Sequence, residues 1–391
     1  MFLDTNQKEE CFGCTACMQI CPTKAITMHE DKEGFSYPVI DQEKCIHCNM
    51  CRKVCPYQKE IKETKADIYG VKLKEIEKRK KSQSGGAFTA IATSILENSG
   101  VVYGVAVCEG FVVKHIRIQN LDELDKLKGS KYVQSNAEEV YEKIEKDLRE
   151  DKLVLFSGTA CQIQGLLNYI EMKKIPSEKL YTCDLVCHGV PSPKIYQEYI
   201  QFFEKKYHSK MKNFNFRDKR YGWGPHDETM TFKNHRKITR PYYRNIFYSN
   251  NPLRPSCYSC QFANTNRITD FTIADFWGIE KANQDFYSRF GVSLLFVQPG
   301  KGQELFKKIL EKNELIYFQT NLEDCLQHNL QKPTDKPIER QKFWEEYNKS
   351  GFEFILRKYG NYGAKQELQN RVHYFLRRLK IKLKNIKEGI R

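Results

Sequence analysis

Cys11-Phe-Gly-Cys14-Thr-Ala-Cys17-Met-Gln-Ile-Cys21-Pro22 and Cys45-Ile-His-Cys48-Asn-Met-Cys51-Arg-Lys-Val-Cys55-Pro56 are two copies of one pattern, C-x2-C-x2-C-x3-C-P. Three thiolates at two-residue intervals wrap a loop around one corner of a cubane iron–sulfur cluster. Pro22 and Pro56 turn the chain away after the last cysteine and bring no donor N–H. Zinc takes four ligands, usually as two pairs split by a longer loop, so eight cysteines in three-plus-one runs fit it poorly. A disulfide framework needs an oxidising compartment. The start, Met1-Phe-Leu-Asp-Thr, lacks the basic region and apolar stretch of a secretory signal. Two [4Fe–4S] clusters are the reading that uses all eight thiols. The copies begin 34 residues apart, and two copies make a duplicated half-module rather than a solenoid.

Over about the first sixty residues the chain resembles the bacterial two-cluster ferredoxin module. There the fourth cysteine of each run ligates the other cluster. The resemblance thus assigns Cys11, Cys14, Cys17 and Cys55 to one cluster. Cys45, Cys48, Cys51 and Cys21 take the second. Residues 25–28 and 35–40 read as short strands around the Glu33-Gly34 turn.

A length of 391 residues argues for two or three domains. Of 15 cysteines, seven lie beyond the module: Cys108, Cys161, Cys183, Cys187, Cys257, Cys260 and Cys325. The longest apolar runs, 101–107 and 292–297, fall far short of a membrane span. Oxygen-sensitive clusters without an export signal favour the cytoplasm. The net charge of +15 has no nucleic-acid recognition motif beside it, so no specific nucleic acid is expected. Residues 371–391 carry eight Lys or Arg against one Glu. A solvated helical tail explains that run. Peripheral contact with an anionic membrane surface, or with an acidic redox partner, is the sharper reading.

After a charged linker at 59–65, strands and helices alternate. Residues 68–72, 101–107, 111–118, 153–156 and 180–186 read as strands. Phe88, Ile91, Ala92 and Ile95 mark one helix, which Asn98-Ser99-Gly100 terminates; Val140, Ile144 and Leu148 mark another. The basic run 78–81 reads as a surface loop. From Met211 the pattern turns β-rich, with strands at 214–216, 229–232 and 238–242, and 291–297 is a further strand before a helix. Alternation of this kind implies an α/β domain whose functional loops lie at strand C-termini. Ser84-Gly85-Gly86 precedes a helix, where backbone N–H groups suit a phosphate-bearing cofactor. On spacing alone, an ordinary serine cap with a tight turn is the simpler explanation.

Taken in order, Ser84-Gly85-Gly86, Gly158-Thr159-Ala160-Cys161-Gln162, Cys187, Cys257-x2-Cys260 and Asp275-Phe-Trp-Gly278 carry a second resemblance. Together they are similar to the beta-subunit family of coenzyme F-420-reducing hydrogenase and F-420-dependent formate dehydrogenase, which includes plant 7-hydroxymethyl chlorophyll a reductase. The resemblance runs from about Tyr69 to Leu310, behind the ferredoxin module. It implies a flavin, usually FAD, beside a third [4Fe–4S] cluster, with electrons passing between clusters, flavin and a soluble acceptor. Carried over by position, Cys161, Cys187, Cys257 and Cys260 are the third-cluster candidates, with Cys183 as substitute for Cys187. Ser84, Gly85, Gly86, Lys131, Gly158 and Thr159 are candidates to line the flavin, and His188 to donate a proton. Cys108 and Cys325 read as core residues. No G-x-G-x-x-G fingerprint separates FAD from FMN.

No nickel–iron or molybdenum signature accompanies these motifs, so hydrogen or formate oxidation is not expected of the chain itself. Bacterial relatives with the fused ferredoxin and the Phe216-Arg-Asp-Lys-Arg-Tyr-Gly-Trp223 segment are often associated with cell-surface polysaccharide synthesis. The expected architecture is a multidomain α+β or α/β chain: a two-cluster ferredoxin module at 1–62, then a mixed-sheet flavin-binding domain in two parts, 66–150 and 151–320, then a basic helical tail at 321–391. The expected function is an iron–sulfur flavoprotein oxidoreductase. Its partners would be ferredoxin or another redox protein and a small-molecule acceptor, coenzyme F-420 among them. A pure electron-carrier subunit with no substrate site is the alternative. A nucleic-acid or membrane-surface protein stapled by a cluster is a third.

Overall fold

A computed structural model describes residues 1–58, 60–61 and 63–387. Lys59 and Lys62 of the charged linker and positions 388–391 of the basic tail lie outside the described residues. In the N-terminal module β1 (Ile26–Glu30) pairs antiparallel with β2 (Ser36–Ile40). Asp31 fixes the turn between them, its Oδ1 accepting from the Glu33 and Phe35 N–H groups at 3.0 Å each. The sequence duplication is also a backbone duplication. Gly13 and His47 hold φ of 67° and 52°, and Thr15 and Asn49 hold 64° and 58°. One short helix follows each pair, Ala16–Gln19 and Met50–Lys53. Left-handed bends at matching positions thus wrap each cysteine triplet in the same way. Gly13 needs to be glycine for a second reason: a Cβ there would lie 2.4 Å from Gln134 Nε2 and 2.8 Å from Arg254 Nη1.

The next strands are β3 (Asp67–Leu73), β4 (Val101–Val107), β5 (Val113–Ile118), β6 (Val154–Ser157) and β7 (Leu180–Leu185). Then come β8 (Met211–Asn215), β9 (Glu228–Phe232) and β10 (Lys237–Arg240), followed by β11 (Phe271–Asp275), β12 (Ser293–Val297) and β13 (Leu315–Thr320). Eight of them form a mixed sheet in the order β13-β3-β12-β11-β7-β6-β4-β5. Its centre, β4-β6-β7-β11, is parallel, and β5, β12, β3 and β13 are antiparallel additions. Every residue of β12 is buried, as a near-continuous apolar run in a covered sheet requires. Two antiparallel steps bring the end of β3 to the edge where β4, β6, β7 and β11 end. The loops after β3, β6, β7 and β11 therefore share one edge of the sheet.

Helices Ala87–Glu97 and Lys301–Glu311 cover one face, through Ile91, Ile95, Leu305 and Ile309. Helices Val140–Arg149 and Ala160–Met172 supply the other core, with Ile144, Ile163 and Leu166. Cys14, Ala16, Ile20 and Val54 of the ferredoxin module belong to that second core. Fully burying a side chain such as Ile20 or Val54 stabilises by about 1.5–3 kcal/mol, so the module is welded on by apolar packing. The basic run read as a loop is instead the Ile76–Lys81 helix. Arg79 is buried, its Nε donating to the Leu73 carbonyl at 2.8 Å and its Nη1 to Ser288 Oγ at 2.8 Å.

The chain divides into two compact units, Met1–Pro193 with Leu253–Asp335, and Lys194–Pro252 with 336–387 of the described residues. The second unit holds the three-stranded sheet β10-β9-β8 and the helices Tyr242–Tyr248, Arg340–Lys358 and Ala364–Lys387. Tyr196, Tyr199, Phe203, Phe214 and Tyr243 pack its aromatic core. Glu228 is fully buried there, accepting from Tyr199 Oη at 2.8 Å and the Tyr243 N–H at 3.0 Å. Burial pushes its carboxyl from 4.5 up to about 7. Below the unfolded value the acid is neutral in both states and imposes no penalty. As pH rises through the folded value the unit must hold a buried carboxylate, and stability falls. Denaturant unfolding is expected to lose about 3 kcal/mol between roughly pH 4.5 and 8, and Glu228→Gln to flatten that slope. An unchanged slope in the variant contradicts this assignment.

Candidate iron–sulfur centre

The cysteine loops of the module place their sulfurs as neighbours. Burial, with Cys55 and Cys17 alongside, pushes the Cys14 thiol far up. Burial and the nearby Cys11, Cys55 and Cys51 do the same to Cys17. Cys55 is pushed up to about 11 by burial, with Cys11 and Cys51 beside it. One cavity is lined by Cys11, Cys14, Cys17 and Cys55 together. Buried thiols this close ionise only against cations, so the four sulfurs fit an iron core. Cys51 is raised by burial, with Cys48 near it. For Cys21 burial raises the thiol, but donors from Thr23 and Ala25 hold it below the usual range. Cys48 is exposed and its neighbour Ile46 is 62% exposed. The Cys45–Cys51 loop therefore lies at solvent, and the Cys14 loop is buried.

A second gathering of thiols has its members far apart in sequence. Cys161 lies in the first turn of the Ala160–Met172 helix, directly after β6, and Cys187 follows β7. Since β6 and β7 are parallel neighbours, their loops meet. Cys257 lies in the Pro255–Ser259 turn, and Cys260 caps it. Burial pushes Cys187 far up, reinforced by Cys257, Cys161 and Cys260. Cys161 rises to about 12 through burial and Cys260, although the Thr159 hydroxyl lies 3.2 Å away. Burial also raises Cys260. Cys183 stays outside this group: it is fully buried in the apolar core, with Asp184 and Asp270 as its charged neighbours. Cys325 is buried too, its thiol donating to the Asn321 carbonyl at 3.3 Å.

The two gatherings adjoin. Cys161 is among the sulfurs that raise Cys14. On the helix that begins at Cys161, a Cβ at Gly165 would lie 3.1 Å from Cys14 Sγ.

The turn Ser84-Gly85-Gly86 lies at the same sheet edge, with its donors engaged inside the chain. Ser84 Oγ donates to the Val292 carbonyl at 2.7 Å, the Gly85 N–H to Ser293 Oγ at 2.9 Å, and the Gly86 N–H to the Gln83 carbonyl at 3.0 Å. A Cβ at Gly85 would lie 2.1 Å from the Val71 carbonyl oxygen. The glycines thus let the turn press onto β3 and β12, and no open phosphate cradle is presented. Lys131 is half-buried, and desolvation draws it down to about 7; its Nζ donates to the Leu127 and Lys128 carbonyls at 2.8 Å each. The Gly158 N–H donates to the Cys183 carbonyl at 3.3 Å, and Thr159 caps the helix through Gln162. As drawn from the sequence, the flavin-lining set does not fit an open cofactor site. His188 follows Cys187, and its carbonyl accepts from Thr334 Oγ1.

Arg254 and Gln134 carried no sequence signal. Arg254 is 1% exposed; its N–H donates to the Val190 carbonyl and its own carbonyl accepts from the Cys257 N–H, both at 2.9 Å. Its Nη1 donates to Gln134 Oε1 at 2.9 Å, and Gln134 Nε2 donates to the Phe12 carbonyl at 3.1 Å. The loop carrying Cys257 is thereby tied to the loop carrying Cys11. A buried ion pair, Arg267–Asp184, holds the other side of the Cys260 loop. There Arg267 Nη1 also donates to the Phe262 carbonyl at 2.9 Å.

Comparison with known proteins identifies the family. The family model for the C-terminal part of the coenzyme F420 hydrogenase/dehydrogenase beta subunit matches residues 151–321, and the model for its N-terminal part matches 68–142. The chain belongs to this beta-subunit family. Two 4Fe-4S dicluster profiles match ahead of and into that region, at 10–59 and 37–86. No curated protein matches. Among solved structures, a chain of the xenon-derivatised F420-reducing [NiFe] hydrogenase complex from Methanosarcina barkeri aligns with a TM-score of 0.47 and 16% identity. The alignment covers 78% of this chain and 95% of that one. As a beta-subunit family member the protein is an iron–sulfur electron-transfer protein of oxidoreductase type. No described helix is long and apolar enough to cross a membrane.

Proposed function

We propose that this beta-subunit family protein conducts electrons one at a time from the exposed Cys45–Cys51 loop, through the Cys14 loop, to a third [4Fe–4S] site. That site would be held by Cys161, Cys187, Cys257 and Cys260 at the edge of the large sheet. The observation that carries this reading is the packing of the helix that bears Cys161 against Cys14, where a Cβ at Gly165 would lie 3.1 Å from the Cys14 Sγ. When bound, [4Fe–4S] clusters supply single electrons at low potential. The chain's own residues set the route. Exposure of Cys48 opens one end to a donor such as ferredoxin, and burial of Cys14 excludes water from the middle. The loops after β6 and β7 deliver Cys161 and Cys187 to the edge where a soluble organic acceptor would bind. His188, beside Cys187, would hand such an acceptor a proton. A flavin would convert single-electron supply into hydride chemistry, but the donors named for it are engaged, so other atoms of this edge would have to hold it. Coenzyme F-420 and a sugar-linked substrate are both acceptors of the right class. Anaerobic reductive titration tests the reading. Three clusters alone take up about three electrons per chain, and a flavin raises that to about five. An uptake of about two would leave only the ferredoxin module standing.

A second proposal concerns the tail, in cytoplasmic protein docked peripherally on a membrane. The Ala364–Lys387 helix turns Glu367 and Asn370 inward. Glu367 pairs with Arg240 at 2.6 Å, and Arg377 with Asp227 at 3.1 Å. Its outward stripe is apolar: Leu368, Val372, Phe375, Leu376 and Leu379 are exposed, Leu368 to 64% and Phe375 to 61%. A helix solvated all round would not carry five apolar side chains at its surface. Arg371, Arg378 and Lys380 border the stripe in sequence, and an apolar face with a basic margin suits an anionic lipid surface. The full chain is expected to sediment with phosphatidylglycerol vesicles and not with phosphatidylcholine alone. Replacing both Phe375 and Leu376 by Ser should weaken binding by about tenfold or more. Equal binding by that variant, or a dimer that consumes the same face, contradicts the proposal.

A further inference from the structure

We propose that Arg254 sets the redox potential of the ferredoxin-side cluster held by Cys11, Cys14, Cys17 and Cys55. The guanidinium is buried, and its Nη2 lies 3.2 Å from Cys11 Sγ. The same side chain donates to the Cys11 carbonyl at 2.7 Å and the Ser36 carbonyl at 3.0 Å, and faces the Tyr37 ring at 4.4 Å. Among the described residues no carboxylate pairs with it. A buried cation without a counter-charge is strongly unfavourable, and the anionic partner this geometry offers is the Cys11 thiolate.

Four thiolates around a [4Fe–4S] core leave a net negative charge that grows by one on reduction. A fixed cation hydrogen-bonded to a ligand sulfur opposes that growth, and hydrogen bonds to sulfur and net charge are among the levers that set cluster potential. Arg254 therefore favours the reduced state of this cluster. The residue sits in the loop of Cys257 and reaches back to Cys11, so its charge lies where an electron crosses from one thiol gathering to the other. The direct N–H···S contact is to Cys11, which makes the ferredoxin side the cluster more affected. The inference rests on the module's ligand set, and it stands even if the third site is empty.

The test is an EPR-monitored redox titration of the anaerobically reconstituted full chain, with Arg254→Met and Arg254→Lys. Arg254→Met is expected to shift the reduced-to-oxidised ratio of one cluster at least tenfold toward oxidised at a fixed poise. That corresponds to a fall in midpoint of about 59 mV for one electron. Iron content should stay at the wild-type level. Arg254→Lys keeps the charge and loses the planar fork, so a smaller shift in the same direction is expected. Wild-type midpoints for every cluster in Arg254→Met overturn the proposal. Should Arg254→Met fail to assemble iron, Arg254→Lys decides alone: an unshifted titration in that variant overturns the assignment, and a lowered midpoint sustains it.

Discussion

Cys257→Ser is expected to lower the iron content of anaerobically purified protein from about twelve to about eight per chain. The remaining iron should still accept electrons, because Cys11 to Cys55 are untouched. Turnover with any soluble acceptor should cease. Cys257 is the first neighbouring sulfur to raise Cys187, and it also raises Cys161. Its Sγ accepts the Val190 N–H at 3.4 Å, which fixes the sulfur against the Cys187 loop. Serine keeps the size and the backbone contacts while removing the thiolate. Cys183→Ser serves as the contrast, since that thiol lies in the core away from the four. It should leave the iron content at the wild-type level. Equal iron in wild type and Cys257→Ser would remove Cys257 from the ligand set.

The largest expected loss of stability belongs to Arg267→Leu. Arg267 and Asp184 are paired with side chains 2% and 0% exposed. Asp184 sits in β7, and Arg267 anchors the loop that follows Cys260. Removing the guanidinium leaves a buried carboxylate whose remaining side-chain help is Thr269 Oγ1 at 2.9 Å. Breaking one side of such a pair costs about 3–5 kcal/mol. Replacing both partners by apolar residues should recover much of that loss, because no uncompensated charge then remains. Urea unfolding of the single and double variants measures both quantities. A loss below about 1 kcal/mol for the single variant would place the pair among weak surface bridges.

What the sequence disclosed follows how local each signal is. The ferredoxin module is written in spacings of two and three residues, and its repeat reappears in the backbone at Gly13, His47, Thr15 and Asn49. Strands β3, β4 and β12 announce themselves as apolar runs. β13 does not, because only Leu315 of its six residues is buried; pairing with β3 makes it a strand. The reading of a strand through Tyr242 fails at Pro241, which cannot donate to a ladder, and Tyr242–Tyr248 is a helix instead. Lys78–Lys81 looked like a solvated basic run, yet Arg79 turns inward to the Leu73 carbonyl. The grouping of Cys161 and Cys187 with Cys257 and Cys260 came from resemblance, since nothing local links them. Arg254 was invisible because its role depends on a loop 243 residues away in sequence. Ser84-Gly85-Gly86 shows the opposite failure. A pattern suited to phosphate is used for close packing against Val71.

The iron and acid-labile sulfide content of the full chain, purified without oxygen, tests the central claim most directly. Three cubane sites predict about twelve of each per chain. About eight of each would contradict it, leaving the two ferredoxin clusters and no third site at the sheet edge.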